Sequence, residues 1–329
     1  MNTQDNRHQL KKITETLLSP EVNYNDIRMA VHALKDLFCT AVGFDETETA
    51  KQGHIQTSGG QAISTYTAAL CITDMMRTRK FLLGIKEAVE ERLQTDPGKP
   101  IIILYAGAGP FATLLTPLTT VFAPDQLQMV LLEINPVSIA YLQKTIQQFG
   151  LEKHIIGIEQ ADAVHYTIPA NYQPDILLSE TMKPALQKEP QVSIVANLLP
   201  QCKPDTMLIP STIIVEACLV GNLASDPLAI MPLQTLLELD KNTAMQINTN
   251  PVISTGITIT IPEKPEPLYK RIVLTTTVNV FGDHHIGLQE SGITLTSTML
   301  DIAGIKKYPA RLLFRYIMNE EPGFVAEIV

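Results

Sequence analysis

The sequence contains no tryptophan, and aromatic residues make up only 5% of it. Its core must therefore be filled mainly by aliphatic side chains, and an apolar share of 45% supplies them. The four cysteines, Cys39, Cys71, Cys202 and Cys218, are scattered with no Cys-x-x-Cys pair. That spacing argues against a zinc site or a disulfide framework and fits small buried thiols in a reducing compartment. Positive charge is also scarce: 25 Lys and Arg stand against 34 Asp and Glu, a net −9. General nucleic-acid and anionic-membrane binders need a basic surface, so neither partner is expected. No apolar run reaches the roughly 18 residues of a membrane-spanning helix. The opening MNTQDNRHQLKK lacks the apolar h-region of a secretory signal, and the expectation is a cytoplasmic protein.

What is present is enough sequence for two domains, 329 residues. Helical apolar spacing marks residues 8–18 (Leu10, Ile13, Leu17) and 25–41 (Ile27, Val31, Leu34, Leu37). A polar, Gly-rich stretch at 43–60 reads as a long loop, and Ser64 to Leu93 as two helices or one bent one. From Ile101 the chain alternates: strand Ile101–Tyr105, helix Phe111–Phe122, strand Met129–Glu133, helix Pro136–Phe149. Strands at Ile155–Glu159, Asp175–Ser179 and Thr206–Ile209 follow, with a helix at Val192–Leu199. Such alternation builds a mostly parallel sheet covered on both faces. After Pro210 come β-branched runs at Ile213–Val220, Ile257–Ile261, Arg271–Val280, Gly292–Thr298 and Leu312–Met318, an antiparallel composition. A helical interlude is expected at Leu228–Leu239. The fold expected is thus α/β: an N-terminal helical extension and loop (1–60), a Rossmann-like domain (61–210) and a β-barrel-like domain (211–329) with a helical insertion near 226–246.

Three segments carry chemistry. In Ile101–Pro110 a buried strand runs into Gly107-Ala108-Gly109, where missing side chains let a ligand approach the backbone. Glu133 ends the next strand, where an acid can accept both hydroxyls of a ribose; its alternative role is at the cap of the helix begun by Asn135-Pro136. Ala112 completes a Gly-x-Gly-x-x-Ala spacing, which leaves an NAD-type oxidoreductase open. The third strand ends in Ser179-Glu180, with Glu189 nine residues on. Two carboxylates at that sheet edge can grip a guanidinium, although two glutamates in a polar loop are more often simply solvated.

The run from Thr73 to Pro210 resembles the protein arginine methyltransferase family, a class of S-adenosylmethionine-dependent enzymes. The resemblance rests on Ser179-Glu180-Thr181-Met182 with Glu189, similar to the family's double-glutamate loop, and on Thr73-Asp74-Met75-Met76-Arg77-Thr78 before the glycine turn. Tyr105-Ala106-Gly107-Ala108-Gly109-Pro110 is closest to the symmetric-dimethylating branch, as is Glu133-x-Asn135-Pro136; Met207-Leu208-Ile209-Pro210 resembles the exit into a β-barrel. The resemblance implies that Arg77 meets the methionine carboxylate of the cofactor and Glu133 its ribose. It places Ala161 and Asp162 at the adenine, and Glu180 and Glu189 at the acceptor nitrogen. It further implies a dimerisation arm near 226–246. The acceptor it leaves open is a guanidino or other nitrogen nucleophile of a small molecule, amino acid or peptide.

The departures are equally specific. Tyr105 stands where the family commonly has an acid, and its Thr-His-Trp loop has no counterpart. The nearest region is Asp283-His284-His285; adjacent strand residues face opposite ways, so the two histidines suit a metal poorly, and none is expected. His165 reads as a partly buried polar residue. A methyltransferase fold kept only for assembly, catalytically silent, is the remaining alternative.

Overall fold

The computed structural model describes residues 2–221, 229–249, 256–261, 263, 265–266 and 269–329. Two helices lead the chain, α1 (Thr3–Leu18) and α2 (Tyr24–Val42), each opened by an asparagine whose side chain accepts an amide of the first turn, Asn2 from Asp5 and Asn23 from Asp26. Their apolar faces are buried, Leu10 and Leu17 in α1 and Val31, Leu34 and Phe38 in α2. The stretch 43–60, expected as a loop, instead holds a short helix, α3 (Glu46–Ala50), and β1 (Ile55–Thr57), which pairs with β2 (Gly60–Ala62) in a hairpin. Its strands are three residues each, too short for period-two alternation to show in the sequence. Next come α4 (Thr65–Leu70) and the long α5 (Met75–Thr95), separated by a 3-10 turn.

The central sheet is parallel throughout. It comprises β3 (Ile101–Ala106), β4 (Leu127–Glu133), β5 (Ile155–Gln160), β6 (Ile176–Ser179) and β7 (Met207–Ile209), in the order β5-β4-β3-β6-β7. The helices of this half are α6 (Pro136–Phe149) and α7 (Gln191–Leu198). The strand order reverses beside β3, opening a crevice at the carboxyl ends of β3, β4 and β6, where such sheets bind ligands. The helix expected at Phe111–Phe122 is absent. Ala112 takes a positive φ of 42°, the Thr116 hydroxyl donates to the Phe111 carbonyl at 2.6 Å, and the chain coils through turns into a 3-10 helix at Pro117–Thr120. Phe111, Leu114, Leu115 and Leu118 are nevertheless buried, which is why the segment has a helical apolar pattern. Phe38 packs its ring 5.3 Å from those of Phe111 and Phe149. Arg7 donates to the carbonyls of Phe149 and Thr119, both at 3.1 Å, so α1 and α2 are locked to this side of the sheet.

Antiparallel strands begin after a gap of two residues, Pro210 and Ser211, behind β7. They are β8 (Thr212–Val220), β9 (Ile230–Asp240), β10 (Ile257–Ile261), β11 (Arg271–Phe281), β12 (His284–Ile286), β13 (Ser297–Asp301), β14 (Ala310–Ile317) and β15 (Gly323–Ile328), with α8 (Lys241–Thr249) between β9 and β10. One sheet runs β12-β11-β8-β9 with β13 also on β11; the other is β10-β14-β15. The helix expected at Leu228–Leu239 is strand β9 instead, and a helix follows only from Lys241; residue 228 lies outside the described residues. The β8–β9 register shifts between Val215 and Glu216 and again between Ala217 and Cys218. These bulges break the two-residue period, so the inward positions of β9 (Leu236, Leu237 and Leu239) take a spacing that mimics a helix face. The expected strand Gly292–Thr298 divides into a 3-10 turn, Gly292–Thr294, and β13, while β15 had no expected counterpart.

The two halves are bonded together. Asp74 caps α5 through its Oδ1, which accepts from the Arg77 amide at 3.2 Å; its Oδ2 accepts from Ser291 Oγ at 2.6 Å and the Gly292 amide at 2.7 Å. Gly84 of α5 lies so close to β11 that a Cβ there would come within 2.7 Å of Val280.

Candidate active site

The crevice is an open cleft, and the residues expected at the cofactor and the acceptor nitrogen line it: Arg77, Tyr105, Gly107, Gly109, Glu133, Ala161, Asp162, Glu180 and Glu189. The glycine turn forms its floor. Gly107 and Gly109 hold φ values of 78° and 66°, open to glycine at no steric cost. A Cβ on Gly107 would stand 2.5 Å from Thr181 Cγ2, whereas one on Gly109 would meet only Ala68, at 3.7 Å.

Glu133 closes the end of β4 and is 8% exposed. Its Oε2 accepts from the Gly109 amide and its Oε1 from the Asn135 amide, both at 2.8 Å. Burial pushes its carboxyl above the ordinary value, opposed by the amides of Asn135, Gly109 and Ile134. The carboxylate is thereby fixed between the glycine turn and the start of α6, while Asn135 Oδ1 is the acceptor that caps that helix. The Ala161 amide donates to the Glu133 carbonyl at 3.2 Å, and Asp162 Oδ1 accepts from Val164 at 2.9 Å. The Ala161 N–H is thus spent within the protein, and this residue meets the cavity with its other atoms.

Arg77 rises from the first turn of α5. One terminal nitrogen pairs with Glu180 Oε2, the other donates to the Cys71 carbonyl at 3.0 Å, and the buried Nε has no partner. Tyr105 is buried beneath it; desolvation raises its phenol well above the usual range, with the Arg77 charge opposing. Glu189 is 6% exposed, and its Oε1 lies 3.5 Å from Lys183 Nζ. Burial raises its carboxyl, and the cations of Lys183 and Arg77 pull it back.

The loop from Glu180 to Glu189 is held on all sides. Ala185, Leu186 and Lys188 all take positive φ, between 55° and 65°. Thr276 Oγ1 of β11 accepts from the Ala185 amide at 2.8 Å, and Tyr316 of β14 donates to the Leu186 carbonyl at 2.7 Å. At its base the buried side chain of Gln191 bonds to Ser179 and Thr181, the two neighbours of Glu180. The β1–β2 hairpin covers the loop: the Gln61 amide donates to the Lys188 carbonyl at 2.7 Å, and Ser58 Oγ sits 2.7 Å from His165 Nε2. The hairpin and α4 thus line the cavity, and no residue of α1 or α2 does.

Asp283, His284 and His285 lie away from the cavity. His284 Nε2 meets Glu87 of α5 at 3.0 Å and His285 Nδ1 meets the Asp283 carbonyl, so the segment joins the two halves of the molecule. Among the described residues no cluster of His, Cys, Asp and Glu has metal-ligating geometry, and no helix is long and apolar enough to cross a membrane. Sequence reasoning missed Gln191, Lys183 and the hairpin. The first two follow or lie inside a recognised motif, but their partners are known only once the loop is closed.

This fold, a parallel sheet with a glycine turn docked on an antiparallel domain, is similar to that of solved PRMT structures. The chain is similar to one of the Trypanosoma brucei PRMT1 enzyme–prozyme heterotetrameric complex with AdoHcy (TM-score 0.52, 12% identity, covering 75% of this chain and 85% of that one). It is also similar to PRMT6 (TM-score 0.55, 12% identity, covering 80% and 98%). No family model matches the sequence, and no curated protein does. At such identity the likeness shows the fold alone.

Proposed function

We propose that this protein is an S-adenosylmethionine-dependent N-methyltransferase acting on a guanidino or other nitrogen nucleophile of a small molecule, amino acid or peptide. The observation that carries this reading is the convergence of Arg77, Glu133, Glu180 and Glu189 on one cavity above a glycine turn. The residues fit the cofactor. The seat at Gly107 has room only without a Cβ, and Arg77 has a buried Nε with no partner, suited to a carboxylate. Glu133 is fixed to accept ribose hydroxyls on the lone pairs its amide donors leave free.

When bound, the cofactor supplies a methyl group made electrophilic by its sulfonium. The chain's own contribution is position and dryness. Glu180 and Glu189, both buried, accept N–H bonds from the acceptor and aim its lone pair. The hairpin and α4 exclude water, and the added proton leaves the product afterwards without a dedicated strong base. The 12% likeness to a protein solved with AdoHcy supports the choice of cofactor.

Calorimetry with S-adenosylhomocysteine and with NADH tests the reading. Binding of the first alone, lost in Arg77→Ala and Glu133→Ala, is the expected outcome; binding of NADH instead, or of neither, sinks it. A homodimer through segment 226–246 belongs to the same proposal. Its described part is β9 and α8, which expose Met231 and Met245. Sedimentation at micromolar concentration tests it, and a monomer there removes it.

A further inference from the structure

Both glutamates of the acceptor seat already have a cation from this chain. Glu180 pairs with Arg77 of α5, and Glu189 has Lys183 Nζ 3.5 Å from its Oε1. The two carboxylate side chains are 2% and 8% exposed, so solvent screens the Arg77 pair little and the Lys183 pair only from the lysine side. Arg77 has a second destination under the methyltransferase reading, the carboxylate of the cofactor, and its departure returns Glu180 to the acceptor. Nothing comparable releases Glu189. Lys183 belongs to the same loop, whose course is fixed by the bonds of Ala185 to Thr276 and of Leu186 to Tyr316. It approaches from outside the cavity, with 39% of its side chain exposed, so an acceptor inside need not displace it.

A guanidinium held by two carboxylates gains from both charges, and that gain offsets the cost of stripping its water. With one carboxylate matched by a resident ammonium, half of the attraction is cancelled while the desolvation cost stays. We propose that Lys183 is a specificity-determining residue: by neutralising Glu189 it makes the seat prefer a neutral nitrogen nucleophile over a guanidinium. Neutral nucleophiles of the right kind are an unprotonated amine, an amide nitrogen or a ring nitrogen. The inference rests on the methyltransferase reading for the role of the seat, while the charge pairing itself is structural.

Ethylguanidine, a cation, and N-ethylurea, its neutral isostere, separate the possibilities. Each is titrated by NMR into the full chain, as wild type, Lys183→Met and Lys183→Arg, with and without S-adenosylhomocysteine. The expected result is ethylguanidine binding about tenfold tighter in the Met variant, an effect of one charge pair on selectivity. Ethylurea affinity stays the same, and Lys183→Arg behaves as wild type. Equal or undetectable ethylguanidine affinity in wild type and Met variant overturns the proposal, as does a wild type that already prefers the cation by about tenfold. Should Lys183→Met lose its fold, Lys183→Gln at this half-exposed position gives the same readout. Failure of S-adenosylhomocysteine to bind the wild type removes the methyltransferase reading instead, while the guanidine-to-urea ratios still report whether Lys183 sets the charge of the seat.

Discussion

The side chain of Gln191 clasps Ser179 from both ends of its amide: Oε1 accepts from Ser179 Oγ at 3.1 Å, and Nε2 donates to the Ser179 carbonyl at 3.0 Å. The same Oε1 accepts from the amide and hydroxyl of Thr181, at 2.9 and 3.0 Å. Glu180 stands between the two residues so held, and Glu189 lies two positions before Gln191. One buried amide therefore fixes the separation of the two carboxylates.

Gln191→Leu keeps the bulk and removes these bonds, leaving buried polar groups unpaired at a cost of about 1–3 kcal/mol. Its stability should fall by that amount in urea, and turnover should fall more than affinity for S-adenosylhomocysteine, because the glycine turn and Glu133 are untouched. Equal losses of both would show that Gln191 supports the whole fold rather than the loop.

Glu180→Gln and Glu189→Gln should each lower turnover by about 100-fold or more, the scale for losing one oriented electrostatic contact in a dry site. Cofactor binding should remain within a few-fold for Glu189→Gln. Full activity in both variants would exclude the double-glutamate reading.

The Glu189 carboxyl, raised by burial, gives a pH signature of defined sign. A carboxyl whose folded value is raised contributes stability below its unfolded value near 4.5, and that contribution is lost as pH rises through the folded value. The melting temperature of Glu189→Gln relative to wild type should therefore rise as pH increases from below 4.5, and flatten once Glu189 is ionised. Under the proposed function the ionised form orients the acceptor, so the acid limb of kcat/KM should lie above the ordinary carboxylate range. Lys183→Met should move that limb higher still, since the Lys183 charge pulls the value down.

Gly107→Ala and Gly109→Ala should differ. Both pay roughly 1–2 kcal/mol for a left-handed backbone, but only Gly107→Ala drives a methyl to 2.5 Å from Thr181. Calorimetry should show cofactor binding abolished in the first and weakened in the second. Thr181→Ser, which deletes the offending methyl and keeps the hydroxyl for Gln191, should restore part of the binding to Gly107→Ala. No restoration would place the damage in the backbone alone.

Asp74→Ala should lose the α5 cap, worth about 1 kcal/mol, together with both bonds to the 291–292 turn. Arg77 sits in that first turn, so affinity for S-adenosylhomocysteine should drop along with stability. An unchanged affinity would mean that Arg77 is positioned by Glu180 and Cys71 without help from the cap.

The sequence by itself determined the strands between Ile101 and Ile209, because short buried runs ending in Gly107-Ala108-Gly109, Glu133 and Ser179-Glu180 are local signals of strand and turn. It also determined which side chains carry charge into the site, since their motif spacings survive folding unchanged. Tertiary structure alone decided that β9 is a strand, because bulges against β8 reset its period to one that resembles a helix. The Phe111–Phe122 segment, likewise apolar at helical spacing, was kept out of an α-helix by a positive φ at Ala112 and a hydroxyl competing at Thr116. The pairing of Arg77 with Glu180, separated by 103 residues, and the bracing of the double-glutamate loop by Thr276 and Tyr316 appear only when distant strands close around the loop. A motif fixes residue type and spacing; the distance between two motifs depends on every element packed between them.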